Sequence, residues 1–208
     1  MDVAEFECLP LLGILRGIGS KDVEPLTETM ISSGLRTVEI TMNTEGAAGL
    51  IRKMAKRAGH RLTVGAGTVL NVEDLKQAVD SGATFIVSPV RVPKVIAYCV
   101  KHQIPVFPGA LTPQEIYEAW EAGATMVKVF PAKFFGPEYF KEIKGPFRRI
   151  KLMACSGVTP GNLKSYFENG ASAVAIGGSV FKEDWLRKKD YKSLGAEIRK
   201  FTKLFPTR

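Results

Sequence analysis

Met126-Val127-Lys128-Val129-Phe130-Pro131 is a short apolar run with a single lysine in its middle, set between a helix-like segment ending at Gly123-Ala124 and a loop opening at Ala132. A run of β-branched and aromatic residues bounded in this way predicts a buried strand. Side chains alternate along a strand, so Met126, Lys128 and Phe130 share one face, while Val127 and Val129 share the face that packs on helices. Lysine is almost never buried without a partner, because an ammonium stripped of water is costly unless it gives up its proton. Such a residue is either a reactive amine, able to attack a carbonyl, or a structural one that snorkels at a strand end or pairs with a carboxylate.

Working outward, the same unit recurs. Towards the N-terminus, Met1–Pro10 reads as a short lead-in helix or arm, Leu11–Gly17 as a strand and Ser20–Gly34 as a helix with Ser20 as its N-cap. Then come the strand Thr37–Asn43, a helix from Glu45 to Ala58, the strand Leu62–Val69 and a helix from Val72 to Ser81. The strand Thr84–Pro89, a helix from Pro93 to Lys101, the strand Pro105–Ala110 and a helix capped at Thr112-Pro113, with Glu115 at the third position, lead to the lysine strand. Beyond it lie a helix near Pro137–Ile143, the strand Ile150–Ser156, a helix from Thr159 to Gly170, the strand Ala173–Ile176 and a last helix over Tyr191–Leu204.

About eight strand-helix units with short loops and near-continuous apolar strands demand parallel strands covered by helices on their outer face. The expected fold is α/β, a compact (β/α)₈ TIM barrel forming one domain over residues 1–208. A doubly wound open sheet is the alternative, and it lacks the G-x-G-x-x-G after the first strand that would mark a dinucleotide fold.

The 208 residues are 45% hydrophobic and 24% charged, enough for one real core. No apolar run reaches the ~18–20 residues of a membrane span, and the N-terminus lacks a signal-peptide pattern, so a cytoplasmic protein with no membrane partner is expected. Cys8, Cys99 and Cys155 are far apart with no C-x-x-C pair, which reads as reduced thiols. The net charge of +8 is concentrated at the end: Lys182 to Arg208 holds nine Lys/Arg against four Asp/Glu. On a helix-like stretch, this reads as a solvated face rather than a nucleic-acid patch.

In such a barrel the active site lies at the C-terminal ends of the strands. The polar residues there are Arg16, Glu39, Thr41, Asn43, Thr68, Ser88, Lys128, Ser156 and Ser179. His60 and His102 precede strands and fall on the opposite face. With no histidine or carboxylate cluster at the catalytic end, neither a metal, a cofactor nor a Ser-His nucleophile is expected. Glu39, across the lumen from Lys128, is either a proton shuttle or a plain counter-ion. Ser156-Gly157 and Gly177-Gly178-Ser179, in the last two units, form glycine-bearing loops whose backbone N–H groups would cradle a phosphate.

Gly13-Ile14-Leu15-Arg16, Val38-Glu39-Ile40-Thr41, Gly65-Ala66-Gly67-Thr68-Val69-Leu70, Ser88-Pro89, Lys128-Val129-Phe130-Pro131-Ala132 and Ile176-Gly177-Gly178-Ser179 together resemble the KDPG/KHG aldolases, class I pyruvate-forming lyases. The resemblance spans nearly the whole chain. It implies a (β/α)₈ barrel, commonly a homotrimer, with Lys128 as the Schiff-base lysine and Glu39 as general acid/base. It also implies Arg16 and Thr68 at the pyruvyl end, Pro89 and Phe130 in the pocket wall, and Gly157, Gly177, Gly178 and Ser179 at the phosphate end.

Two positions depart from the usual pattern. Members acting on 2-keto-3-deoxy-6-phosphogluconate usually carry arginine at the place of Asn43, whereas phosphogalactonate-type members resemble this chain there. The usual Thr-Gly-Gly or Val-Gly-Gly is here Cys155-Ser156-Gly157, so a side chain stands where backbone would approach the ligand. The expected substrate is a small-molecule 2-keto-3-deoxy sugar acid 6-phosphate of the phosphogluconate or phosphogalactonate type, cleaved to pyruvate and glyceraldehyde 3-phosphate, with 4-hydroxy-2-oxoglutarate as a further candidate. A phosphosugar isomerase or epimerase, and a barrel that only binds a phosphosugar or an acidic partner, are the other readings.

Overall fold

The computed structural model describes residues 1–205. A short helix α1 (Val3–Cys8) precedes β1 (Leu11–Leu15), α2 (Val23–Ser32), β2 (Thr37–Thr41), α3 (Ala47–Ala58), β3 (Thr63–Gly67) and α4 (Val72–Asp80). Then follow β4 (Ile86–Val87), α5 (Pro93–Lys101), β5 (Val106–Phe107), β6 (Gly109–Ala110), α6 (Pro113–Glu121) and β7 (Val127–Val129). After a 3₁₀ turn at Ala132–Phe134 come α7 (Glu138–Lys144), β8 (Leu152–Cys155), α8 (Leu163–Glu168), β9 (Ala173–Ile176), α9 (Glu183–Lys188) and α10 (Tyr191–Thr202).

All strand pairs are parallel, in the order β5-β4-β3-β2-β1-β9-β8-β7-β6. The nine segments are eight barrel strands, because β5 and β6 are halves of one strand interrupted at Pro108. Proline has no N–H to give a ladder. The first half pairs with β4 and the second with β7, and the Pro108 carbonyl accepts from the Lys128 N–H at 2.9 Å, so the ring is completed through the broken strand. This is the expected (β/α)₈ barrel, not the open sheet.

Alternation along the strands separates two apolar layers. The lumen holds Phe6, Leu12, Phe85, Val87, Phe107, Met126, Met153, Cys155, Ala173 and Ala175. Val127 and Val129, with Val38, Ile40, Val64 and Val174, pack outward against the helices. Helix α1 closes the N-terminal end of the lumen: Asp2 caps it by accepting from the Ala4 N–H at 2.8 Å, and Phe6 meets Phe107 edge-on at 5.9 Å.

Several expectations need correction. Helix α2 starts at Val23 after Asp22, rather than being capped by Ser20, and Asp22 accepts from the Gly19 N–H at 2.9 Å to hold the turn before it. The helix after β8 starts at Leu163, because Thr159–Asn162 is a turn in which the Asn162 Oδ1 accepts from the Thr159 N–H at 2.8 Å. Helix α9, every residue of which is at least partly exposed, was not expected. The basic stretch near the C-terminus is helix surface up to Thr202, while Arg208 lies outside the described residues. No helix among the described residues is long and apolar enough to cross a membrane.

Candidate active site

Lys128 lies mid-β7 with its side chain in the lumen, 5% exposed, and its ammonium 5.4 Å from the Phe130 ring centroid. Glu39, mid-β2, is 1% exposed. No ion pair or hydrogen bond among the described residues joins the two, and the Glu39 Oε2 is buried with no hydrogen-bond partner. An unsatisfied buried carboxylate oxygen is costly unless a ligand or a proton completes it. Burial pushes the Glu39 carboxyl above the ordinary glutamate range, with the Lys128 and Arg16 cations pulling the other way.

The glycines of Gly65-Ala66-Gly67 explain how so much fits into one lumen. A Cβ on Gly65 would lie 2.5 Å from the Phe85 ring, and one on Gly67 would collide with the Glu39 carboxyl. Gly109 similarly leaves space for the Pro89 carbonyl, letting the turn after β4 approach the broken strand.

Cys155, at the end of β8, is buried in the same lumen. Its thiol is pushed up by burial, an effect the neighbouring Lys128 partly opposes. It therefore stays protonated and contributes wall rather than charge. Sequence reading did not single out this residue as part of the site, although its place one residue before Ser156 on an inward-facing strand position was the available signal.

Around the rim, Arg16 and Asn43 are exposed and Thr68 is half-buried with φ +55. Thr41 is fully buried, and its Oγ1 lies 3.0 Å from the Thr44 Oγ1, which also accepts from the Gly17 N–H at 3.1 Å. Thr44, unassigned from sequence, thus ties the loop carrying Arg16 to the end of β2. Ser88 is committed to structure, donating to the Val69 carbonyl at 2.7 Å. Pro89 is half-buried and Phe130 is 37% exposed at the mouth, ahead of a cis peptide to Pro131.

Ser156 and Gly157, both at positive φ, leave β8 beside β9, whose continuation is Gly177-Gly178-Ser179. These two loops are neighbours, as the phosphate-cradle reading requires, and both are accessible. His60 lines a cavity of about 140 Å³ with Met1 and Thr84 at the opposite end of the barrel, and His102 stacks on Tyr98 outside α5. Among the described residues no group of three His, Cys, Asp or Glu side chains is arranged to hold a metal ion.

A parallel barrel whose lumen presents a buried lysine to a buried, unsatisfied glutamate at its catalytic end has the layout of an amine-dependent carbon-carbon lyase. Residues 4–197 match the family described as KDPG and KHG aldolase. The chain is 34% identical over 175 residues to the 2-dehydro-3-deoxy-6-phosphogalactonate aldolase of Escherichia coli, covering 84% of this chain and 85% of that protein. It is 36% identical over 160 residues to the 2-dehydro-3-deoxy-phosphogluconate aldolase of Treponema pallidum, covering 76% and 75%. The 2-keto-3-deoxy-6-phosphogluconate aldolase of Zymomonas mobilis, solved with 3-phosphoglycerate, superposes with a TM-score of 0.86 at 28% identity, over 99% of this chain and 96% of that one. The chain belongs to the KDPG and KHG aldolase family, and is a lyase of the class I, Schiff-base kind.

Proposed function

We propose that this aldolase cleaves a 2-keto-3-deoxy sugar acid 6-phosphate to pyruvate and glyceraldehyde 3-phosphate. The observation that carries the reading is the pair of buried groups, Lys128 and Glu39, held in one lumen without bonding to each other. The Lys128 amine condenses with the C2 ketone, and loss of water gives a protonated imine. Glu39 takes the proton of the C4 hydroxyl as the C3–C4 bond breaks; the aldehyde leaves, and the bonding electrons pass into the imine as an enamine. Protonation at C3 and hydrolysis release pyruvate and restore the amine.

Arg16 and Thr68 would receive the pyruvyl carboxylate, Pro89 and Phe130 would wall the pocket, and Thr41 and Asn43 would line the side next to Glu39. Ser156, Gly157, Gly177, Gly178 and Ser179 would take the phosphate. Support for a phosphorylated substrate comes from the paired glycine loops and from the phosphogalactonate and phosphogluconate names of the relatives. Asn43 favours the galactonate epimer, so Asn43→Arg should move the ratio of kcat/KM values towards the gluconate epimer, and an unmoved ratio removes Asn43 from the specificity argument.

We also infer a homotrimer, the assembly that the family resemblance implies; Phe134 and Phe135, 71% and 54% exposed in the lone chain, favour cover by another copy without setting the number of copies. A cytoplasmic location suits the three unpaired cysteines.

The test of the catalytic reading is direct. Pyruvate with borohydride should leave one reduced adduct, located by mass spectrometry on the peptide carrying Lys128 and absent from Lys128→Ala. Adducts scattered over surface lysines would defeat the assignment.

A further inference from the structure

Among the described residues, four other than glycine have left-handed backbone: Thr68, Gln103, Ser156 and Lys189. Gln103 follows the C-cap of α5 and Lys189 is the C-cap of α9, where a left-handed residue commonly ends a helix. Thr68 and Ser156 end no helix. They sit at the catalytic ends of β3 and β8, and Ser156 has the most positive φ of the four, +82°. A Cβ is costly there and glycine is not.

The surroundings enforce this conformation. The Asn162 Nδ2 donates to the Gly157 carbonyl at 2.9 Å while its Oδ1 holds the Thr159 N–H, and a Cβ on Gly157 would lie 2.5 Å from the Lys133 Cβ. The loop is thus held in place from both sides, yet its strained position is filled by serine. The Ser156 side chain is half-exposed, and its hydroxyl has no partner among the described residues. The Cys155–Ala175 register sets it next to the turn after β9, where the space beside Gly178 is open and the half-exposed Ser179 hydroxyl is likewise unengaged. Neither Cys155–Asn162 nor Gly177–Lys182 contains a carboxylate, so nothing in these two loops repels an anion.

We propose that Ser156 is a specificity-determining residue whose hydroxyl donates a hydrogen bond to the terminal phosphate of the aldehyde half of the substrate. This deepens, and rests on, the aldolase reading given above. A hydroxyl pinned at the edge of a two-loop cradle adds a side-chain donor to the backbone N–H groups, and a donor to a charged acceptor is among the stronger hydrogen bonds. The residue discriminates on charge at the far end of the substrate, leaving the pyruvyl half to the lumen.

The experiment is condensation of pyruvate with glyceraldehyde 3-phosphate and with unphosphorylated glyceraldehyde, comparing wild type, Ser156→Ala and Ser156→Gly. Alanine keeps the Cβ and the strain but loses the hydroxyl; glycine loses all three. Both variants should lower the kcat/KM ratio of phosphorylated to unphosphorylated aldehyde by about ten- to hundred-fold, the size of a hydrogen bond to a charged group. A ratio in Ser156→Ala equal to that of wild type would overturn the proposal, because the effect of glycine would then belong to loop freedom. Should alanine fail to fold, Ser156→Cys, which keeps the Cβ and the strained backbone and replaces the hydroxyl with a weaker donor, decides by the same ratio. Absence of a pyruvate adduct on wild-type Lys128 would instead sink the aldolase reading, so the two failures are distinguishable.

Discussion

The carboxyl of Glu39 occupies the space that a Cβ on Gly67 would fill. Strands β2 and β3 pair with Glu39 opposite Gly65 and Thr41 opposite Gly67, so the glutamate leans one pleat towards the catalytic end to lie over the second glycine. The G-A-G motif is therefore a packing device twice over: its first glycine admits the Phe85 ring and its second the acid/base carboxyl.

Gly67→Ala should accordingly displace the Glu39 carboxyl while leaving Lys128 in place. Overpacking costs about 1–3 kcal/mol of stability. Loss of positioned proton transfer should lower kcat by roughly 10²–10⁴. Borohydride trapping of pyruvate on Lys128 should persist, more slowly. A variant with wild-type turnover would mean that Glu39 can act from another position, and the packing argument would fall.

The Thr44 hydroxyl joins two loops, accepting from the Gly17 N–H and meeting the Thr41 hydroxyl. Thr44→Val preserves shape but orphans both partners, which costs about 1–3 kcal/mol when the site is buried. The fully buried Thr41 hydroxyl bears that penalty, whereas the exposed Gly17 N–H can turn to water and leave its loop free. Because Gly17 follows Arg16, the freed loop should raise the KM for pyruvate in condensation more than it lowers kcat. An effect on kcat alone would detach Thr44 from the pyruvyl end.

How much of this could be read from the chain depends on whether partners are near in sequence. The strand Ala173–Ile176 was read to its observed ends because an unbroken apolar run between a glycine-bearing turn and a glycine pair has one reading. The capping box of Thr112 and Glu115 was also legible, since both members lie within one turn; the Glu115 carboxylate accepts from the Thr112 N–H at 2.9 Å. The break at Pro108 was not, because a missing N–H matters only once the strand has a neighbour on each side. Helix α9 was missed since Glu183-Asp184-Trp185-Leu186-Arg187-Lys188 has no apolar periodicity, burying no residue fully. The opposition of Lys128 and Glu39 followed from strand count and alternation, whereas the roles of Gly67, Thr44 and Asn162 depend on contacts that only the folded chain creates.

Phe6 is the test of the barrel floor. It is 3% exposed, reaches into the lumen from α1 and meets Phe107, which in turn meets Phe85 at 5.9 Å. Phe6→Ala should cost about 3–5 kcal/mol in denaturant unfolding. Phe6 stands at the opposite end of the lumen from the catalytic rim, so kcat per folded molecule should stay near wild type. A loss below about 1 kcal/mol would show that α1 is an arm rather than a plug.

The pH dependence of both stability and turnover turns on Glu39. Burial raises its carboxyl above the ordinary 4.5, more than the Lys128 and Arg16 cations lower it. The native state then holds this proton more tightly than the unfolded chain does. Its contribution to stability is present below the unfolded value and declines as pH rises from 4.5 through the folded value, levelling beyond it. Glutamine keeps the shape and cannot ionise. Glu39→Gln should therefore melt higher than wild type at neutral pH, and the two melting temperatures should converge as pH falls towards 4.5. Catalysis requires the opposite form, since only the carboxylate can accept the C4 hydroxyl proton, so the acid limb of kcat/KM should lie above 4.5 and vanish in Glu39→Gln along with most of the turnover. A melting difference independent of pH, together with an acid limb at the value of a solvated glutamate, would show that water reaches this carboxyl in the folded enzyme and would remove the dry lumen on which its role as proton shuttle depends.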